Sequence, residues 1–222
     1  MAYGIPVSDL LQGRAWNTLV LSLSALALCW VVAVPLGVWS AARPRGWTDR
    51  FAGSAATVFL SLPDLLAGLL ALVVTVRLGI VTVNGRFFPA VVALACLAFP
   101  AVFRHTRSSM QQALVLPFVE HLRACGVTEG RILFVHAARA AANPMISLLG
   151  LSFAGLTSSS LVIEVTLNWP GLGPLLLESI LARDMAVVLA AVLLAAVCML
   201  LGNLVADLML YAADPRIRRE AP

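Results

Sequence analysis

Histidine and arginine are among the side chains from which catalytic and metal sites are built, and all three histidines and five of the 15 arginines fall in one stretch of a 222-residue chain. Between Arg104 and Asn143 stand Arg104, Arg107, Arg123, Arg131, Arg139 and all three histidines, His105, His121 and His136. His121 and Cys125 are spaced i, i+4, as two ligands on one helix face would be. No third or fourth ligand accompanies them, and no H-E-x-x-H occurs, so no metal site is expected. Gly150-Leu-Ser152-Phe-Ala154 nearly spells the G-x-S-x-G of a hydrolase nucleophile, but the last glycine is missing and the segment is apolar. A phosphate-binding loop of the form G-x-x-x-x-G-K-[ST] needs a lysine, and the chain has none, so it does not itself hydrolyse nucleotide in that way. Gly171-Leu-Gly173 precedes Pro174 and follows no strand pattern, which excludes a dinucleotide turn. No catalytic residue, metal or cofactor is expected.

The elements around this stretch are dictated by composition. Hydrophobic residues make up 61% of the chain and charged residues 12%, with a mean hydropathy of +0.96. Soluble domains run about 45–50% apolar and about 25% charged. An apolar run of roughly 20 residues crosses a bilayer as a helix, and five such runs are visible: Trp16–Ala42, Ala52–Val76, Phe87–Phe103, Met145–Val165 and Met185–Ala213. None alternates as a barrel strand would. The expected fold class is all-α, a polytopic transmembrane bundle forming one domain over 1–222, with 104–143 as a polar island inside it. The start shows no cleavable signal-peptide pattern. All 15 basic residues are arginine. Eleven fall in three clusters, Arg43/Arg45/Arg50, Arg104–Arg139 and Arg216/Arg218/Arg219; Arg14, Arg77, Arg86 and Arg183 lie on alternate loops. The positive-inside rule puts the clusters and the C-terminus in the cytosol. The net charge of +4 thus reflects topology in a lipid membrane, not nucleic-acid binding. Cys29, Cys96, Cys125 and Cys198 form no disulfide framework.

Within the island, Phe118, Leu122 and Cys125 share a face of a short helix, and Glu120 and Arg123 are placed to pair weakly on another. Gly126 ends that helix by tolerating positive φ. Thr128 reads as the N-cap of a second helix with Glu129 in its first turn, running to about Ala142 and stopping before Asn143-Pro144. A helix, a glycine joint and a stiff second helix make a lever; the plainer alternative is an ordinary solvated loop.

These residues resemble the EAA loop of ABC importer permeases, in the dipeptide/oligopeptide/nickel branch. Phe118, Val119, Leu122, Arg123, Ala124 and Gly126 match a motif like Y-V-x-x-A-R-A-x-G, and His136 and Pro144 match the histidine and the proline that the branch carries before its next span. Glu164-Val-Thr-Leu-Asn-Trp-Pro-Gly-Leu-Gly173 is similar to E-T-V-F-x-W-P-G-L-G. Arg183-Asp184, Asn203, Asp207, Tyr211 and Asp214-Pro-Arg-Ile-Arg218 match the closing motifs, and Gly4-Ile-Pro-Val7 with Arg14 and Thr18-Leu19 resembles the stretch before the second helix of the B-type permease. The chain departs from the pattern at three points. The family's first transmembrane helix is absent, leaving a natural short form, a fragment or a misplaced start. The EAA signature reads Glu120-His121-Leu122, and Ser61-Leu-Pro63-Asp64 stands for Ser-x-Pro-Ser.

The resemblance implies a type I permease that pairs with a homologous permease subunit in the cell's inner membrane. Two cytosolic ATP-binding subunits would grip the Phe118–Gly126 helix, and an extracytoplasmic substrate-binding protein would deliver a peptide, a nickel chelate or a related solute. Expected coupling residues are Phe118, Glu120, Leu122, Arg123 and Gly126. Asp64, Ser158 and Ser159 are candidates for the translocation path, against structural uses in packing. Glu164, Trp169, Gly171 and Gly173 are candidates for an outer gate or binding-protein contact, against an interfacial anchor and turn. The competing class is a transporter or scaffold without ATPase partners, including a nonfunctional truncated relative; paired broken helices in two halves would mark it, and no internal repeat is seen.

Overall fold

A computed structural model describes residues 7–80 and 82–213. The residues Gly4-Ile-Pro6 and Asp214-Pro-Arg-Ile-Arg218, with Arg219, lie outside the described residues. Within them the chain is helical throughout, with no strand. The helices are α1 (Val7–Ala42), α2 (Trp47–Leu60), α3 (Asp64–Arg77), α4 (Val83–Leu114), α5 (Pro117–Ala124), α6 (Glu129–Arg131), α7 (Ala138–Ala140), α8 (Ala142–Leu167), α9 (Leu172–Leu181) and α10 (Met185–Ala213), with a π-helical stretch, Ile132–Ala137, between α6 and α7.

Among the described residues, four helices are long and apolar enough to cross a membrane: Leu11–Ala42, Asn84–Leu114, Ala142–Leu167 and Met185–Ala212. A fifth crossing comes from α2 and α3 together, which meet at a bend of 105°. The run Ala52–Val76, expected as a single span, is therefore broken. Proline supplies the reason. Pro63 has no N–H to continue the ladder from α2, and its ring disfavours the α region at Leu62. Pro63 instead sits extended (φ −62°, ψ 146°) as the N-cap of α3, and Asp64 falls in the first turn rather than mid-helix.

Two further boundaries differ from expectation. The run Phe87–Phe103 is the middle of α4, which continues to Leu114 and makes the first part of the island helical. The second island helix does not run unbroken from Glu129 to Ala142. It passes through one turn of α6, the wider π turns and α7, then breaks at Ala141 (φ −84°, ψ −3°). The break thus precedes Pro144. That proline lies in the first turn of α8, where the missing N–H removes no helical bond.

The core forms where α1 lies against α4 and α8 crosses both, with α3 and α10 on its flanks. Leu21, Ala25, Ala90, Leu94, Ile163 and Leu167 are fully buried there. Close approach depends on small residues, as in membrane bundles generally. A Cβ at Gly37 of α1 would lie 2.8 Å from Thr106 Cβ of α4, so only glycine permits that crossing.

Candidate functional site

The island is built on the end of α4. Leu116 takes an extended conformation and Pro117 opens α5 at the first helical position, where its fixed φ suits a helix start. Helix α5 packs against the π-helical stretch. Val119 is its buried residue, as Ile132 and Ala137 are on the stretch opposite. The face expected to be apolar is turned outward: Phe118 is 39% exposed, Leu122 is half-buried and Cys125 is exposed. Glu120, His121 and Arg123 are exposed beside them. His121 Nε2 and Cys125 Sγ lie 3.7 Å apart, one turn along the helix.

Gly126 ends α5 in the left-handed region at φ +78°. The amide of Gly126 donates to the Arg123 carbonyl and that of Val127 to the Leu122 carbonyl, at 3.0 and 3.1 Å. This pair of bonds is the Schellman closure, which requires positive φ at the residue Gly126 occupies. Arg123 does not pair with Glu120. It reaches across the glycine turn to Glu129, with Nε to Oε1 at 2.7 Å and Nη2 to Oε2 at 3.3 Å. The turn explains the choice: it folds Glu129 back over α5, and two parallel hydrogen bonds outweigh a single helical-spacing contact. The Arg123 hydrogen bond holds the Glu129 carboxyl below its ordinary range, and Glu129 raises Arg123 in return. Thr128 occupies the N-cap position in extended conformation, without a capping bond from its hydroxyl.

A second polar group, not legible in the sequence, ties the island's support to the rest of the bundle. Asp49 of α2 is buried. It accepts from Ser40 of α1, from the Arg45 amide at 2.9 Å and from Arg107 Nη2 of α4 at 3.0 Å, and Arg107 Nε lies 2.7 Å from its other oxygen. Residues 49 and 107 are too far apart in sequence for spacing to pair them; only the packing of α2 on α4 does so.

A cavity of about 310 Å³ lies at the α2–α3 bend, between α3, α4 and α8. Asp64 and Ser159 line it, together with His105 and Ser152, which sequence reasoning did not assign to a path. Ser158 does not line it and is exposed elsewhere on α8. The structure thus brings two of the three expected path residues together.

At the other end of α8, Glu164 is wholly buried. Asn168 closes the helix in the left-handed region (φ 51°), and the chain turns back through Trp169 and Pro170 into α9. Glu164 Oε2 accepts from the Gly173 amide at 2.8 Å. Thr18 of α1 accepts from the Leu172 amide at 2.9 Å. Amides in the first turn of α9 have no helical acceptor, and these two side chains supply it. A Cβ at Gly171 would run into the Glu164 carboxyl, and one at Gly173 into the Leu161 carbonyl. Trp169 packs on Phe87, ring centroids 5.3 Å apart. Asn17 donates to the Pro170 carbonyl at 2.7 Å and Arg86 to the Leu167 carbonyl at 3.2 Å. Glu164, Trp169, Gly171 and Gly173 are all buried, at the turn that leads from α8 into α9.

Comparison with known proteins agrees with this architecture. An inward-facing crystal form of the MetNI methionine ABC transporter superposes with a TM-score of 0.78, covering 94% of this chain and 98% of that one at 19% identity, a likeness of fold. The oligopeptide transport system permease protein AppB of Bacillus subtilis is 36% identical over 96% of this chain and 73% of its own length. The glutathione transport system permease protein GsiC of Shigella boydii is 31% identical over 96% of this chain and 72% of its own. A family profile described as "Binding-protein-dependent transport system inner membrane component" matches residues 33–219. With that profile over most of its length and relatives above 30% identity matched along nearly all of it, the chain belongs to the multi-pass inner-membrane permeases of binding-protein-dependent ABC importers.

Proposed function

We propose that this permease imports peptides or a related small solute as one of two homologous membrane subunits, driven by two cytosolic ATP-binding subunits that grip α5. An extracytoplasmic binding protein delivers the solute. The observation that carries the coupling role is the form of the island: a short helix with Phe118, Glu120 and Arg123 exposed, closed by Gly126 at φ +78° and clamped to the next segment by Arg123–Glu129. Such a helix is fixed on its inner side by Val119 and presents the rest to a partner. Support for a peptide cargo comes from the relatives, named for oligopeptide and glutathione transport.

In the mechanism, ATP binding draws the two ATP-binding subunits together and carries α5 with them. A nucleotide can shift the permease only by the difference in its interaction with two conformations, so α5 must be held differently in each. Displacement of α5 passes through the end of α4, where Arg107 grips Asp49, to α1, α2 and the bend beside the Asp64 cavity. The cavity's access then changes from the cytosolic to the outer side. Leu122 and Gly126 set the geometry of the grip; Phe118, Glu120 and Arg123 form its surface.

The test is reconstitution of the complex in proteoliposomes with the variants Gly126→Pro and Glu120→Lys. Proline cannot take positive φ and lacks the N–H that bonds the Arg123 carbonyl. Substrate-stimulated ATPase activity and uptake should fall together, while the binding protein's affinity for its ligand stays unchanged. Normal transport by both variants would make the island a passive loop and the coupling role wrong.

A further inference from the structure

The cavity at the α2–α3 bend has an unusual chemical balance. Its lining is mostly aliphatic, and Asp64 is its one carboxylate. An acid in the first turn of a helix has a structural use, since it favours the helix dipole. Two observations go beyond that use. Among the described residues no hydrogen bond or ion pair engages the Asp64 side chain, although charges within membrane spans pair with one another or mark a solute path. And of the three other polar side chains in the lining, Ser152, Ser159 and His105, the first is an acceptor too. Ser152 of α8 commits its only hydrogen to the Leu148 carbonyl at 2.7 Å, so what it turns to the cavity is lone pairs. A site offering a carboxylate and a hydroxyl acceptor, in apolar walls, calls for a cation that carries N–H donors. At about 310 Å³ the cavity lies at the small end of ligand pockets. It takes a charged headgroup or a short side chain rather than an extended chain.

We infer that Asp64 and Ser152 form a receiving site for an ammonium or guanidinium group of the transported solute, making this permease selective for cationic cargo. The site deepens the importer reading and rests on it. His105, from α4, shares the lining with them.

The test uses the complete reconstituted complex and three dipeptides of similar size: alanyl-lysine, alanyl-leucine and alanyl-glutamate. For each peptide, ATP-dependent uptake by a variant is divided by uptake by the unsubstituted complex, so that the binding protein's own preference cancels. Asp64→Asn should lower alanyl-lysine uptake about tenfold, the discrimination that roughly 1.4 kcal/mol provides. The same variant should change the other two by less than about twofold, and Asp64→Glu should retain the preference. Ser152→Ala, which keeps the charge, should reduce alanyl-lysine uptake by a smaller factor. An equal loss for all three peptides, or no change in any, overturns the site. Failure of Asp64→Asn to assemble with its partner subunit also overturns it, by showing that the carboxylate is paired across the subunit interface. Absence of ATP-dependent uptake of all three peptides by the unsubstituted complex overturns the peptide-cargo reading, and the site with it.

Discussion

Glu164 shows how a charged residue can be spent on structure inside a membrane protein. Its carboxylate accepts from the Gly173 amide and lies where any side chain on Gly171 would strike it. Glu164→Leu leaves the buried Gly173 amide without an acceptor, which costs about 1–3 kcal/mol. In a chain of this length that is a drop of several degrees in melting midpoint in detergent. Glu164→Gln keeps an acceptor oxygen and should lose less. Equal midpoints for Glu164→Leu and the unsubstituted protein would show that the carboxylate does not hold α9. The Arg123–Glu129 pair makes a contrasting case in water. Its hydrogen bond keeps the Glu129 carboxyl below the ordinary value of 4.5. A group depressed in the folded state contributes above its unfolded value, and that contribution is lost as pH falls through the lowered one. The turn at Gly126 should therefore be unchanged from neutral pH down to about 4.5 and loosen below it. The effect is small, since both side chains are solvent-exposed. Hydrogen exchange at the Gly126 and Val127 amides, corrected for intrinsic rates, reads it directly. Glu129→Gln should flatten the pH response.

Among elements, the join of α1, α2 and α4 is the one most exposed to a single substitution. Arg107 supplies the only cation on the buried Asp49 carboxylate among the described residues. Removing one partner of a fully buried pair costs about 3–5 kcal/mol and of a surface pair about 0–1. Arg107 is 36% exposed at its side chain, so Arg107→Leu belongs between these, about 1–3 kcal/mol by thermal melting. The double variant Arg107→Leu/Asp49→Leu should recover part of the loss, because no carboxylate is then left unpaired. This join also marks where the sequence stops being informative. Apolar length found the spans, because a helix in lipid must be long and apolar whatever it touches. Gly126 was readable because positive φ is a local demand. The Asp49–Arg107 pair and the buried place of Glu164 were not, because each is made by distant segments meeting. The break at Ala141 escapes sequence reasoning for a different reason. Pro144 is tolerated in a first turn, so the proline that seems to end one helix instead opens the next.

On the scale of the molecule, the distribution of charge sets an expectation for which end faces the cytosol. Ion pairs and hydrogen bonds tie Arg14 to Glu178 of α9 and Arg86 to the Leu167 carbonyl, gathering these sparse arginines at the α9 end of the bundle. Arg43, Arg45, Arg50, Arg104, Arg107, Arg123, Arg131 and Arg139 belong to the α1–α2 turn, the far half of α4 and the island. Translocation retains the arginine-rich side inside, so the island is expected in the cytosol and the α9 end outside. Gln112 and Asn84 are both outside the core and lie toward opposite ends of α4, which makes them fair probes. In a chain whose own cysteines are replaced by serine or alanine, Asn84→Cys should react with a membrane-impermeant maleimide on intact cells. Gln112→Cys should react only after the membrane is opened. The reverse pattern would invert the bundle, put α5 out of reach of any ATP-binding subunit and remove the basis for coupling through the island.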